Sequence, residues 1–196
     1  MRCPVALISA GYGVDHTHYG FIARTLSELG YLVVAVQHEL PSDAPLAKTG
    51  DLFKARAPVW QRGAENLRFT RNSLQQRYPE YDWTNLTLIG HSNGGDISAW
   101  LLQESPEFAT TLITLDHRRV PLPRTQLLRV LSIRAADFAA DANVLPSTAE
   151  QKALGMCIRT IANAKHNDMQ DSGTEELKAS ILARIKAFVS DKECLE

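Results

Sequence analysis

The stretch from Leu86 to Asp96 constrains this chain more than any other. It reads as a short apolar strand, a turn of small residues, and the start of a helix that continues from Ile97 to Gln103. Gly90, Ser92 and Gly94 fall in the order G-x-S-x-G. A serine on so sharp a strand-to-helix corner takes a strained backbone conformation and leaves no room for a Cβ two residues to either side. Glycine at both flanks lets strand and helix close around the serine, with its hydroxyl left pointing outward at the end of the sheet. The start of the following helix favours negative charge developing there. Such a corner is a nucleophile elbow. Glycine-rich strand-to-helix turns also bind phosphates, so the remainder of the chain has to discriminate between the two.

At 196 residues and 44% hydrophobic content, the chain is long enough for one well-cored domain, taken here as residues 1–196. With 21 basic against 22 acidic residues, nothing argues for a nucleic-acid or anionic-membrane partner. The basic residues are scattered, and Arg118-Arg119 is too short a run to count as a patch. The three cysteines, Cys3, Cys157 and Cys194, show no metal-ligand spacing. They read as incidental thiols of a reducing compartment, with one disulfide left open. Residues Met1 to Ala10 superficially resemble a signal peptide, but the apolar run is too short, and its loss would remove a strand. No run is long enough to span a bilayer. Cytoplasmic placement is the expectation, with a missing leader left open, and oligomeric state is not legible.

Val5 to Ser9 reads as a buried strand leaving into the tight loop Gly11-Tyr12-Gly13. Tyr19 to Leu29 has helical spacing and is stopped by Gly30; Tyr31 to Val36 is a second strand. His38 to Asp51, with Pro41, Pro45 and Gly50, is a surface loop. Pro58 to Tyr78 is a long helix with Trp60, Ala64, Leu67 and Leu74 on one side. After the elbow strand and helix come strands at Thr111–Leu115, Leu128–Arg134 and Cys157–Ile161, a helical turn at Glu150–Leu154, and a closing helix over Leu177–Val189. This alternation predicts an α/β fold with a mostly parallel sheet of about six strands and helices on both faces. Ligands of such sheets sit beyond the carboxyl ends of the strands.

A serine hydroxyl needs a base to take its proton. Among six histidines the candidate is His166, just after the last strand, and the order Ser…Asp…His suits a hydrolytic triad on such a sheet. His91 reads as structural, and His16 and His18 as solvated or pocket-lining loop residues. The acid is Asp116, directly after the Thr111–Leu115 strand, or Asp137, which follows the Leu128–Arg134 strand in Arg134-Ala135-Ala136-Asp137; both lie on the same edge as Ser92. Whichever is not used is expected to cap a loop or pair with Arg118, Arg119 or Arg134. Asp168 and Asp171 are expected to structure their loop. An oxyanion needs two preorganised N–H donors, for which the backbones of Asn93 and Tyr12 are the candidates.

With these residues in place, the chain resembles an α/β-hydrolase over essentially its whole length, and more narrowly the platelet-activating factor acetylhydrolase and chlorophyllase-like esterases. The resemblance rests on Ser9 to Gly13, Gly30 to His38, the elbow, Leu115-Asp116 with Pro121 beyond, and His166. In that group the triad acid follows the strand after the elbow helix, which maps onto Asp116. In the wider superfamily it follows the next strand, which maps onto Asp137. Two features depart from the pattern: Ala10 stands where many relatives carry histidine, and the two antiparallel strands that usually open the fold are missing. The resemblance implies a minimal or trimmed serine esterase that needs neither cofactor nor metal. Its substrate would be a small or soluble acyl ester, because the Asp116–Thr125 loop is too short to carry a large lid. The alternatives are a thioesterase or amidase with the same triad, or a non-catalytic hydrolase-fold module that binds a ligand or partner.

Overall fold

A computed structural model of the chain describes residues 2–191, 194 and 195. Six strands alternate with helices: β1 (Pro4–Ser9), α1 (Gly20–Glu28), β2 (Leu32–Val36), α2 (Leu52–Arg77), β3 (Asp82–His91), α3 (Asn93–Glu104), β4 (Thr111–Leu115), β5 (Arg129–Arg134), α4 (Thr148–Leu154), β6 (Cys157–Thr160) and α5 (Glu175–Lys186). The strands form one sheet in the order β2-β1-β3-β4-β5-β6. Every pairing is parallel.

Alternation along the strands divides the core into two layers. Val5, Leu7, Leu86, Leu88, Leu112 and Val130 face one side, where Trp60 and Leu67 of α2 meet Ile97 and Leu101 of α3. Ala6, Ile8, Ile89, Ile113, Leu131 and Ile133 face the other, against Ile22 and Leu26 of α1 and Ile181 and Ile185 of α5. A sheet covered on both faces needs apolar residues at consecutive positions, which is why these strands read as continuous hydrophobic runs. The order reverses at β1, with β2 on one side and β3 on the other. The chain therefore leaves β1 and β3 in opposite directions and opens a crevice at their carboxyl ends. The register sets Ser9 beside Gly90 and His91 beside Leu115, so the loops after β1, β3 and β4 emerge at one level.

The expected elements are present, with two corrections. The long helix begins at Leu52, not at Pro58, because the side chain of Asp51 caps it by accepting the Lys54 N–H at 3.2 Å. Pro58 lies inside the helix, where a ring without an N–H forfeits a ladder bond; the cap and the buried Trp60–Leu67 face outweigh that local preference. The thiols are the second correction. Cys157 on β6 is bonded to Cys194, with Cα atoms 5.7 Å apart across 37 residues of sequence, while Cys3 is exposed and free. Spacing in the sequence gives no sign of that closeness. Among the described residues, no helix is long and apolar enough to cross a membrane.

Helices α2 and α3 pack tightly at Gly63. A Cβ there would stand 2.6–2.8 Å from three side-chain carbons of Ile97, so no single rotation clears it. Alanine in a helix gains about 1 kcal/mol over glycine, against an overpacking cost of about 1–3 kcal/mol. Gly63→Ala should therefore lower the urea midpoint, and adding Ile97→Val should recover part of the loss; an increase in stability from Gly63→Ala alone would contradict this packing.

Candidate active site

The corner after β3 carries Ser92 at φ 52° and ψ −121°, outside the conformations ordinary for a residue with a side chain. Its surroundings enforce this. A Cβ on Gly90 would lie 2.3 Å from the Gly94 carbonyl oxygen, and one on Gly94 would lie 2.2 Å from that of Ser9. Both contacts are with backbone that cannot swing aside, which accounts for the two glycines expected from the sequence. The Ser92 N–H donates to the Leu115 carbonyl at 2.9 Å and so ties the corner to β4.

Ser92 Oγ lies 2.9 Å from His166 Nε2, and His166 Nδ1 lies 2.6 Å from Asp116 Oδ2. A carboxylate only accepts, so the ring proton sits on Nδ1, and Nε2 is left to accept the serine proton. His166 comes from the loop after β6. Asp116 is fully buried, one residue past β4, at φ 48°. Burial works to raise its carboxyl, but the His166 hydrogen bond, the Arg134 charge and the Ala135 N–H outweigh this and hold it below the usual carboxylate range. Arg134 Nη2 is 2.9 Å from Oδ1, and Arg118 Nη2 is 3.2 Å from Oδ2.

Asp137 does not touch the imidazole. Its Oδ1 accepts the backbone N–H of His166 at 2.9 Å and holds the loop. Two arginines expected on the unused aspartate, Arg118 and Arg134, instead surround the one that meets the ring. Asp171 structures its neighbourhood as expected, accepting the Gly20 and Phe21 N–H groups at the start of α1. The His16 N–H donates to Gln37, and the ring lies outside the pocket.

The first loop and the elbow supply the remaining expected groups. Gly11 N–H donates to the Tyr19 hydroxyl and Gly13 N–H to Glu39, while the Tyr12 N–H between them has no partner among the described residues. The Asn93 N–H opens α3, where a helix cannot pair its own first amides. Trp60 Nε1 donates to Asn93 Oδ1 at 3.0 Å and fixes that residue from behind.

His91 has a larger part than its position in the motif suggests. Its Nε2 faces the His166 carbonyl at 2.9 Å, which can only accept, so Nε2 carries the proton. Its Nδ1 then accepts from the Tyr19 hydroxyl at 2.8 Å. Burial lowers His91 to about 4 and raises Tyr19 to about 12, so both stay neutral near pH 7. Gly11, Tyr19, His91 and His166 thus form one hydrogen-bonded line from the first loop to the last. Nothing in the sequence signals it except a histidine beside the serine.

Asp96, in the first turn of α3, is a second side chain with no sequence signal. Its Oδ1 accepts the N–H groups of Arg118, Arg119 and Val120 at 2.8–3.2 Å. Burial raises it to about 6 against those bonds. The pocket in front of Ser92 measures about 220 Å³, with Tyr12, Asn93 and His166 on its wall.

The sequence matches no protein-family model and no curated protein. Its similarity lies in the fold, which is that of the α/β-hydrolases. A dienelactone hydrolase-like promiscuous phosphotriesterase from metagenomic libraries superposes with a TM-score of 0.70 at 18% identity, over 97% of this chain and 86% of that one. An esterase superposes with a TM-score of 0.68 at 14% identity, over 94% and 92%. A carboxylesterase from Mesorhizobium loti does so with a TM-score of 0.63 at 18% identity, over 93% and 88%.

The buried titratable groups set a pH dependence of stability. Burial lowers His38 and His91 to about 4 and His117 to about 3 from 6.5. Below pH 6.5 the unfolded chain takes up protons at these three sites that the folded chain refuses, so stability falls with pH. Asp96 opposes this, since its folded carboxyl binds a proton near 6 and its unfolded one only near 3.8. Three lowered histidines outweigh the one raised carboxyl, so the net effect is a loss of stability as the pH falls below about 6. Urea midpoints should decline steadily from pH 7 to pH 4.5, and a flat profile would mean these side chains are solvated.

Proposed function

We propose that the chain is a serine carboxylic-ester hydrolase that works through an acyl-enzyme on small or soluble esters. The observation that carries the reading is the line from Ser92 Oγ through His166 to buried Asp116, at 2.9 and 2.6 Å, opening into a pocket. Ser92 Oγ bonds to the acyl carbon as its proton passes to His166 Nε2. The carbonyl oxygen, now negative, is held by the N–H groups of Tyr12 and Asn93. His166 protonates the departing alcohol as its bond to the acyl carbon breaks. Water then repeats the sequence, giving its proton to His166 and releasing the acid and Ser92. Asp116 stays ionised and stabilises the imidazolium.

The esterases among the superposable structures support an ester as substrate class. Asp116 after the fourth strand also suits the platelet-activating factor acetylhydrolase and chlorophyllase-like group. The Asp116–Thr125 loop, too short for a large lid, favours soluble esters.

Ser92→Ala should abolish hydrolysis of p-nitrophenyl acetate without changing the circular dichroism spectrum, and a fluorophosphonate should label Ser92 in the parent chain. Unreduced turnover in the variant would reject the mechanism.

The two aspartates make a separate test. Asp116→Asn should lose on the order of 10⁴ in kcat. Asp137→Asn keeps an oxygen that can accept the His166 N–H and should lose less than about tenfold. Reversed magnitudes would assign the acid to Asp137.

A further inference from the structure

The pocket in front of Ser92 is walled by Lys48, Arg56, Arg118 and Arg119, with Asp96 the one acidic side chain in its lining. These four cations are scattered in sequence and come from the segment before α2, from α2 itself, and from the loop after β4. Two of them are matched: Arg118 meets Asp116 and lies over the Phe138 ring at 4.3 Å, and Arg119 pairs with Asp141. The other two are not. Lys48 has no ion-pair partner among the described residues. Arg56 forks Nε and Nη2 onto the neutral Ala47 carbonyl, at 2.9 and 2.7 Å.

That fork fixes the guanidinium and leaves Nη1 free to donate, since arginine carries five N–H bonds. Burial and the nearby charge of Arg119 disfavour its charged form and outweigh the opposing pull of the Asp96 and Asp141 carboxylates, neither of which pairs with it directly. The Arg118-Arg119 backbone is likewise fixed, because Asp96 takes both of its N–H groups. A partly desolvated, preorganised group of like charges beside a reacting atom is complementary to an anion, and fixed donors lose little entropy on binding one.

We propose that the ester cleaved at Ser92 carries a second, anionic group, a carboxylate or a phosphate, seated between Arg56 and Lys48 on one side and the Arg118-Arg119 segment on the other. The inference rests on the serine-esterase reading above and deepens it. A pocket of about 220 Å³ admits a short substrate, with the anion a few bonds from the scissile carbonyl. Arg56 and Lys48 are the specificity-determining residues, because they alone among the four lack a carboxylate partner.

The test compares two matched pairs of esters by pH-stat: monomethyl glutarate with methyl valerate, and 2-acetoxyethyl phosphate with 2-methoxyethyl acetate. The first pair places a carboxylate on the acyl side and the second a phosphate on the alcohol side. At low salt, at least one anionic ester should exceed its neutral partner in kcat/KM by on the order of tenfold. The ratio should shrink as salt is raised, and should fall toward one in Lys48→Gln and Arg56→Gln. Lys48 is exposed, so its variant stays informative if Arg56→Gln fails to fold. Neutral esters cleaved as well as both anionic ones, or a preference that survives both substitutions, would overturn the inference and leave the serine reading standing. Turnover of none of the four by a chain whose Ser92 still reacts with fluorophosphonate would also overturn it. Absence of that labelling would instead remove the serine reading itself.

Discussion

Backbone-to-backbone contact at the end of β3 is the constraint on which the site depends. Gly90 and Gly94 let the elbow close until no atom larger than hydrogen fits between it and the carbonyls of Ser9 and Gly94. The contact fixes where the serine stands relative to β1 and turns its side chain out of the sheet. The strain at Ser92 is of order 1–3 kcal/mol and is carried by the parallel sheet, whose central strands are buried on both faces. Loosening that closure would move the nucleophile away from a base that reaches it from the loop after β6.

The elbow was legible because its requirement is local: a corner of this kind excludes a Cβ at two positions, and the chain has glycine at both. Strand and helix order was legible for a related reason, since a two-sided sheet leaves unbroken apolar runs. The start of α2 is not legible in the sequence, because Pro58 is a strong local signal for a helix start, whereas the deciding features are the Asp51 cap and the packing of Trp60 and Leu67. The disulfide is not legible in the sequence, because Cys157 and Cys194 come together only once β6 and the segment after α5 are placed in space.

Charge shows the same division. A balance of 21 basic and 22 acidic residues describes the average surface and correctly shows no basic run. It is silent on where loops converge. Arg118-Arg119 is too short a run to form a patch alone, and Lys48 and Arg56 stand apart from it among the scattered basic residues. The fold gathers all four around one opening. Asp116 and Asp137 were equally placed in sequence, each at a strand end, and only the path of the final loop separates them. One aspartate meets the ring of His166 and the other its backbone.

The neutral His91 puts a contact that depends on its protonation state behind the first loop of the site. Were the imidazole to gain a proton, Nδ1 would become a donor facing a hydroxyl that currently gives its own hydrogen to that nitrogen. The Tyr19 oxygen also accepts from Gly11, so its displaced hydrogen would have to find another acceptor in a buried place. The His91 Nε2–H would keep its bond to the His166 carbonyl, so the misfit would fall on the strand-one loop. Protonation would thus act on the side of the site built from the first loop, on top of the general loss of stability at low pH.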